Sequence, residues 1–343
     1  MTVLVTGAAG YLASWIVRLL LEAGVQVHGS VRDLDDAAKL AHLHALQQAF
    51  PGQLQLFVAD LLNEGSFLPA LHGCEIVIHT ASPYFLRPTV QPVQQLVDPA
   101  VQGTRQLLAA VNQVASVRKV VLTSSIVTLF NDACDHAGPL TEAHHNNRCT
   151  LRDQPYAYAK TRAEECAVGM AAAQQRWQLI TLHPGAIFGP SLSRRIDATS
   201  VGMLLQFLDG AFRSGVPRLT LAVVDVRDVA MAHVRAALQP VPAGKYLLVG
   251  QSLTLLEISR LLQAVDGRKP GRLPTRELPK ALLWLLAPLI GMTRRYVKRN
   301  VGYPLQFDNR HARTALGIQY RPAQTTLNDH VRQLLLDGLW VPQ

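Results

Sequence analysis

Thr2-Val3-Leu4-Val5-Thr6-Gly7-Ala8-Ala9-Gly10-Tyr11-Leu12-Ala13 is the stretch on which the fold turns. A short β-branched and apolar run meets two glycines, and an amphipathic run, Tyr11–Glu22, follows without a break. The first pattern predicts a buried strand and the second a helix. At such a junction Gly7 permits the tight turn, and Gly10 lets the backbone approach a bound group. Ala13 is small enough for the helix to pack closely on the strand. The amides of the first helical turn then face an anion, so a pyrophosphate fits there. Glycine spacing alone is common. Strand, glycine turn and helix in this order at the start of a βαβ unit predict dinucleotide binding.

Outward from this unit, apolar strands are predicted at 25–30, 54–59, 75–79, 119–124 and 179–183, and helices at 34–49, 99–114 and 156–173. Continuous apolar strands separated by helices mean right-handed crossovers and a parallel sheet covered on both faces. The fold class is therefore α/β, a doubly wound parallel sheet whose ligands sit beyond the carboxyl ends of the strands. After Pro184 the pattern loosens, with more Pro, Gly and Arg and with strand-like pieces at 219–223 and 245–249. The expected division is a nucleotide-binding body over 1–183, to which 219–238 returns, and a smaller C-terminal substrate lobe from 184–218 and 239–343.

The bulk numbers narrow the function classes. At 343 residues, with 49% hydrophobic and 17% charged, the chain buries a real core and does not read as disordered. The net charge of +9 is dispersed apart from Arg294, Arg295, Lys298 and Arg299, and no recognition-helix or zinc-finger pattern accompanies it. A nucleic-acid partner is not expected, and a basic balance suits a phosphate-rich cofactor. Cys74, Cys134, Cys149 and Cys166 lie far apart without a Cys-x-x-Cys pair, so neither a disulfide framework nor a metal site is expected. The start of the chain lacks the signature of a secretory signal, which makes the expected location cytoplasmic. The longest uncharged apolar run, 281–292, falls short of the ~20 residues a transmembrane helix needs. With the basic cluster beyond it, this run reads as a core-facing helix followed by a solvated turn, or as a face resting on a membrane surface.

Which dinucleotide binds is decided at the end of the second strand, Val27-His28-Gly29-Ser30-Val31-Arg32. An acid here would bind the ribose hydroxyls of NAD and repel a 2′-phosphate. Arg32 offers a planar donor fork that suits a phosphate, so the cofactor reads as NADP(H). Asp33 follows directly and keeps NAD(H) open.

Tyr156 and Lys160 lie four apart on a predicted helix and share one face. A tyrosine alone, with a pKa near 10, is a poor proton donor at neutral pH, and a neighbouring ammonium stabilises its phenolate. Carbonyl chemistry needs a further donor for the oxygen, and Ser125, at the end of the strand over 119–124, stands where it belongs. Tyr158 points to another face and reads as packing. Tyr-x-x-x-Lys arises often by chance; the order of glycine turn, Ser-Ser and then Tyr and Lys makes it specific.

Taken together, these residues resemble the extended short-chain dehydrogenase/reductase superfamily, in the branch of dihydroflavonol reductases, cinnamoyl-CoA reductases and related aldehyde or ketone reductases. Besides the opening stretch, the match rests on Val31-Arg32-Asp33, Ala59-Asp60-Leu61, His79-Thr80-Ala81-Ser82-Pro83 and Leu122-Thr123-Ser124-Ser125. Further matches are Tyr156 with Lys160, His183-Pro184-Gly185-Ala186-Ile187-Phe188-Gly189-Pro190 and Asp225-Val226-Arg227-Asp228-Val229-Ala230-Met231-Ala232-His233. The resemblance implies a Rossmann body in which Gly7, Ala8, Gly10, Tyr11 and Leu12 cradle the pyrophosphate and Arg32 meets the 2′-phosphate. It implies that Asp60 and Leu61 flank the adenine, Ala81 and Ser82 line the cleft, and Pro184, Gly185 and Ile187 back the nicotinamide. Tyr156 would donate the proton, Ser125 would stabilise the oxyanion, and Lys160 would also hold the nicotinamide ribose. Ile126, in place of a small residue, and His183, in place of arginine or asparagine, depart from the pattern.

The expected function is thus an NADP(H)-dependent oxidoreductase that moves a hydride between the nicotinamide and an aldehyde or ketone, or the corresponding alcohol. The alternatives are an NAD-dependent nucleotide-sugar epimerase or dehydratase, a hydroxysteroid-type dehydrogenase, and a dinucleotide-sensing regulator. Against the epimerase, Val127-Thr128-Leu129-Phe130 stands where those enzymes carry Val-Tyr-Gly. The substrate is not legible; a small, mostly apolar carbonyl compound is expected, with Tyr84 and Phe85 as pocket candidates, in a monomer or homodimer.

Overall fold

The computed structural model describes residues 1–81, 93–194, 196, 198–265 and 273–341. The chain opens with six parallel strands, β1 (Thr2–Thr6), β2 (Gln26–Val31), β3 (Leu54–Val58), β4 (Ile76–His79), β5 (Lys119–Thr123) and β6 (Gln178–Pro184). Between them run α1 (Tyr11–Glu22), α2 (Ala37–Ala49), the short α3 (Leu68–Leu71), α4 (Asp98–Gln113) and α5 (Pro155–Ala172). Alternation along β1 shows why both faces are covered. Val3 and Val5 join one core layer with Ile16, Val17 and Leu20 of α1, while Leu4 joins the other with Leu107 and Val111 of α4.

The second lobe begins where β6 ends. β7 (Ala186–Phe188) pairs in parallel with β8 (Thr220–Asp225), and α6 (Thr199–Leu208) lies between them in sequence. From β8 the chain returns through α7 (Val226–Leu238), which packs beside α1, to β9 (Gly244–Leu248). β9 joins the main sheet next to β6, and β10 (Gln251–Thr254) pairs antiparallel with β8. The main sheet therefore has the order β3-β2-β1-β4-β5-β6-β9, and a separate sheet the order β10-β8-β7. The remaining helices are α8 (Leu255–Gln263), α9 (Lys280–Leu286), α10 (Arg294–Asn300), α11 (Arg310–Leu316) and α12 (Ala323–Leu336).

Two segments sit in a different sheet from the one the sequence suggested. β8 belongs to the second sheet, and β9, read as part of the lobe, extends the main one. Gly185 makes this crossover possible: its amide donates to Leu248 O at 3.0 Å, while a Cβ there would lie 2.3 Å from Ala222 O. The second helix also starts later than its apolar pattern implied. Asp33 accepts from the Asp35 amide at 2.9 Å and Asp36 caps the Lys39 amide at 3.1 Å, so 33–36 is held in side-chain-closed turns.

Asp225 fastens the lobe to the body. It caps α7 by accepting from the Arg227 amide at 2.8 Å, pairs with the Arg227 guanidinium at 2.7 Å and accepts from the Thr326 hydroxyl of α12 at 2.8 Å. Arg227 in turn reaches Asp329 at 2.7 Å, so a single buried carboxylate joins β8, α7 and α12.

Candidate active site

The glycine turn forms an open cradle. Gly7 has φ +64°, which favours glycine, and a Cβ on it would lie 3.2 Å from Ala81 Cβ. Gly10 caps α1 and donates to Gly7 O at 2.8 Å, and a Cβ on Gly10 would meet that same oxygen at 3.1 Å. The Gly7 amide is taken by Ser30 Oγ at 3.1 Å and the Ala8 amide by Ser30 O at 2.9 Å. The amides that no helical carbonyl can reach belong to the first turn, Tyr11, Leu12 and Ala13. The Tyr11 side chain turns away, its hydroxyl donating to Gly189 O at 2.6 Å. A negatively charged group therefore fits against bare backbone and a positive helix end.

At the neighbouring strand ends, Arg32 is exposed and makes no salt bridge with a described residue. Asp33 accepts from the Asp35 amide with one carboxylate oxygen. Lys39 pairs with Asp36. Asp60, beyond β3, accepts from the Leu62 amide at 2.8 Å, and Leu61 beside it is half-buried against Gly103 of α4. The residues present thus suit a dinucleotide that carries an extra phosphate beside Arg32.

The ends of β1 and β4 are knotted together. Thr6 Oγ1 accepts from the amides of Thr80 at 3.2 Å and Ala81 at 3.1 Å, so its own proton goes to His79 Nδ1 at 2.8 Å. Burial, with Lys160 nearby, pushes His79 down to about 3. A narrow cavity lined by His79, Ala81, Thr123, Lys160 and Glu164 connects this knot to the predicted catalytic set.

Ser125 follows β5 at its carboxyl end and caps a single 3-10 turn, Ile126–Thr128, against which α5 packs. α5 carries Tyr156 in its first turn and Lys160 one turn later. Lys160 Nζ donates to Thr123 O at 3.3 Å, and burial lowers its pKa to about 8 against the upward pull of Glu164. Thr123 is itself held: its hydroxyl lies 2.8 Å from His233 Nε2, and His233 Nδ1 lies 2.8 Å from Val229 O. A carbonyl can only accept, so Nδ1 carries the proton, Nε2 accepts, and burial pushes His233 down to about 4. Tyr158 stacks under Arg162 at 5.1 Å, away from this cluster.

Behind the serine lies a polar network that the sequence reading did not anticipate. Glu164, one turn beyond Lys160, is buried, accepts from the Ser124 hydroxyl and pairs with Lys245 Nζ at 3.0 Å. Burial alone would raise its pKa, but His183, Ser124 and Lys245 together hold it below the usual range. His183 is fully buried, 3.0 Å from Thr128 Oγ1 and 3.2 Å from Ser125 O, and burial outweighs Glu164 to lower its pKa. A departure from the family pattern thus holds the backbone of Ser125 in place. The one signal in the sequence was the four-residue spacing of Lys160 and Glu164. Pro184, Gly185 and Ile187 lie at the end of β6 and on β7, beside the same strand ends. Ser82, Tyr84 and Phe85 lie outside the described residues.

Known proteins resemble this chain over nearly its whole length. The model of the NAD dependent epimerase/dehydratase family matches residues 3–250. A cinnamoyl-CoA reductase of Medicago truncatula, CAD2, is 32% identical over 339 residues, covering 97% of this chain and 95% of the relative. Tetraketide alpha-pyrone reductase 1 of Arabidopsis thaliana is 32% identical, covering 98% and 96%. Among solved structures, the yeast methylglyoxal/isovaleraldehyde reductase Gre2, complexed with NADPH, superposes with a TM-score of 0.79 at 25% identity, covering 98% of this chain and 99% of that one. With the family model matched from the first strand to β9 and relatives aligned end to end, the chain belongs to the NAD dependent epimerase/dehydratase family, in the extended short-chain dehydrogenase/reductase branch that includes the cinnamoyl-CoA reductases.

Proposed function

We propose that this oxidoreductase is an NADP(H)-dependent reductase that converts an aldehyde or ketone carbonyl to the alcohol, with Ser125, Tyr156 and Lys160 as its catalytic set. The observation that carries the reading is Lys160: an enclosed ammonium lowered to about 8, one helical turn from Tyr156 and bonded to the strand end that leads into Ser125. When bound, the reduced nicotinamide supplies the hydride. Ser125 Oγ donates a hydrogen bond to the carbonyl oxygen, where negative charge develops. Tyr156 gives that oxygen its phenolic proton, and the Lys160 ammonium stabilises the phenolate left behind until solvent reprotonates it. Carbonyl, hydride and proton together make the alcohol, and the tyrosine is restored.

The cofactor is held by Gly7, Ala8, Gly10, Tyr11 and Leu12 at the pyrophosphate and by Asp60 and Leu61 at the adenine. Ala81, Ser82, Pro184, Gly185 and Ile187 take the nicotinamide half, with Tyr156 and Lys160 beside its ribose. Arg32 binds the 2′-phosphate, an assignment supported by its making no salt bridge with a described residue and by the hydrogen bond that engages Asp33. The substrate enters from the lobe built on β7, β8 and β10. NADPH and NADH consumption against a panel of aliphatic and aromatic aldehydes and ketones tests the proposal. Turnover with NADPH should fall at least about a hundredfold in Tyr156→Phe. No turnover, together with NAD retained through purification, would transfer the chain to the epimerase or dehydratase reading.

A further inference from the structure

The apolar run after residue 278 does not face the core. In α9 and the 3-10 turn that follows, Ala287–Ile290, only Leu283 and Ala287 are fully buried, packing with Val297 of α10 and with Val301 just beyond it. Leu282, Trp284, Leu285, Leu289 and Ile290 are all exposed, Leu285 to 60% and Leu289 to 84%. Scattered exposed leucines are ordinary, but five large apolar side chains within nine residues form a patch of the kind that marks an interaction surface.

The charge around the patch identifies the partner. From 278 to 307 the sequence holds no Asp or Glu, and its cations are Lys280, Arg294, Arg295, Lys298 and Arg299. Arg295 and Arg299 turn inward to the buried carboxylate of Asp132. The other three rim the apolar face: Arg294 lies over the Trp284 ring at 4.6 Å, Lys280 lies over the Tyr303 ring at 4.5 Å, and Lys298 is exposed. An indole and a phenol ring beside cations at the edge of an apolar face match the interface of a bilayer, where amphipathic rings sit at headgroup depth.

The patch is also rigidly mounted. Asp132 receives Arg295, Arg299 and Asn300 of α10, and Asn300 Oδ1 accepts from the Ala133 amide at 2.9 Å. The face is therefore preformed and needs no segment to fold onto the partner. Among the described residues no helix is long and apolar enough to cross a membrane, so contact would be in the plane of the surface.

We propose that the face of Leu282, Trp284, Leu285, Leu289 and Ile290, rimmed by Lys280, Arg294 and Lys298, is a docking surface for anionic phospholipid membrane. The enzyme rests on it peripherally, with the leucines in the acyl boundary and the cations among the headgroups. Each cation close to such a surface strengthens binding by about fivefold, an effect that salt screens.

Cosedimentation of the full chain with vesicles tests this, comparing phosphatidylcholine alone with phosphatidylcholine mixed with phosphatidylglycerol at about 0.05 M and about 0.5 M salt. Binding to the anionic vesicles is expected to exceed binding to the neutral ones at least about tenfold at low salt and to collapse at high salt. Leu285→Asp/Leu289→Asp and, separately, Arg294→Glu/Lys298→Glu should each abolish it. All four side chains are exposed, and unchanged NADPH turnover would show that the variants are folded. No binding to anionic vesicles at low salt, equal binding to neutral ones, or binding that survives the leucine variant would overturn the proposal. So would a concentration-dependent dimer in light scattering that the leucine variant dissolves, which would assign the face to a second copy of the chain.

Discussion

Burial sets the working range of Lys160, lowering its pKa to about 8 while Glu164 pulls the other way. Below that value the ammonium can stabilise the Tyr156 phenolate; above it the charge is gone. In the free enzyme kcat/KM should therefore fall as pH rises through about 8, and a profile flat to about pH 10 would contradict the assignment. Stability runs the opposite way. The folded pKa lies below the ordinary 10.5, so the unfolded chain holds the extra proton between the two values. The cost of enclosing the ammonium is full below about 8 and is lifted as pH climbs towards 10.5. Lys160→Met should accordingly lose turnover yet gain on the order of 2 kcal/mol in thermal stability at neutral pH. Arg32 carries a different expectation, because it is exposed and supports no described part of the fold. Arg32→Ala should raise the KM for NADPH by about tenfold to a hundredfold, the loss of a charge-assisted phosphate contact, and leave that for NADH nearly unchanged. Equal shifts for both cofactors would remove Arg32 from the phosphate site.

Among elements, Gly185 has the least freedom. It stands where β6 leaves the main sheet and β7 begins the second, with Ala222 O at 2.3 Å from where a Cβ would be. Gly185→Ala must displace β8 backbone and should cost about 3 kcal/mol or more, read as a lowered Tm. The same elements show what a sequence can reveal. The strands of the main sheet were legible because buried parallel strands are apolar runs, and β1 and α1 came out at their observed bounds. Which sheet a strand joins was not legible. β8 and β9 carry similar apolar runs, and they part into two sheets around the close backbone approach at Gly185. The start of α2 was misjudged because side-chain turns at Asp33 and Asp36 compete with helix and leave no periodic trace. In the candidate site, Ser125, Tyr156 and Lys160 were legible as candidates through their order along the chain. Glu164 was not, since a carboxylate on a helix normally faces water, and its partners Ser124, His183 and Lys245 come from three separate strands or strand ends. The resemblance implies Tyr11 as a cofactor residue, and its hydroxyl also ties the turn to Gly189 in the other lobe.

For the molecule as a whole, acid should be the weak side, because three buried histidines in different regions are held neutral. His79 joins β4 to β1, His233 lies on α7 beneath β5, and His330 of α12 accepts from the Gly189 amide at 3.1 Å and so ties α12 to the end of β7. Burial, first among the causes in each case, pushes them down to about 3, 4 and 3 respectively, from an ordinary 6.5. Each accepts a hydrogen bond at one ring nitrogen, so protonation there would break a bond as well as bury a charge. The unfolded chain takes up these protons first. Stability from this source is complete above pH 6.5 and is lost as pH falls from there towards the folded values of about 3 to 4. Three such groups give a slope of about 4 kcal/mol per pH unit, against a total of about 5–15 kcal/mol for an ordinary domain. Unfolding is therefore expected by about pH 5, before most carboxylates titrate. A pair such as Asp308 with Arg310, where that guanidinium lowers the carboxyl to about 2, keeps its contribution at this pH and loses it only as pH falls from 3.8 towards about 2. Chemical denaturation at pH 8, 6.5 and 5.5 measures the slope, and His233→Gln, which removes one of the three groups, should make it shallower by about a third. Stability unchanged down to about pH 5 would mean that these histidines are not held neutral in the folded protein.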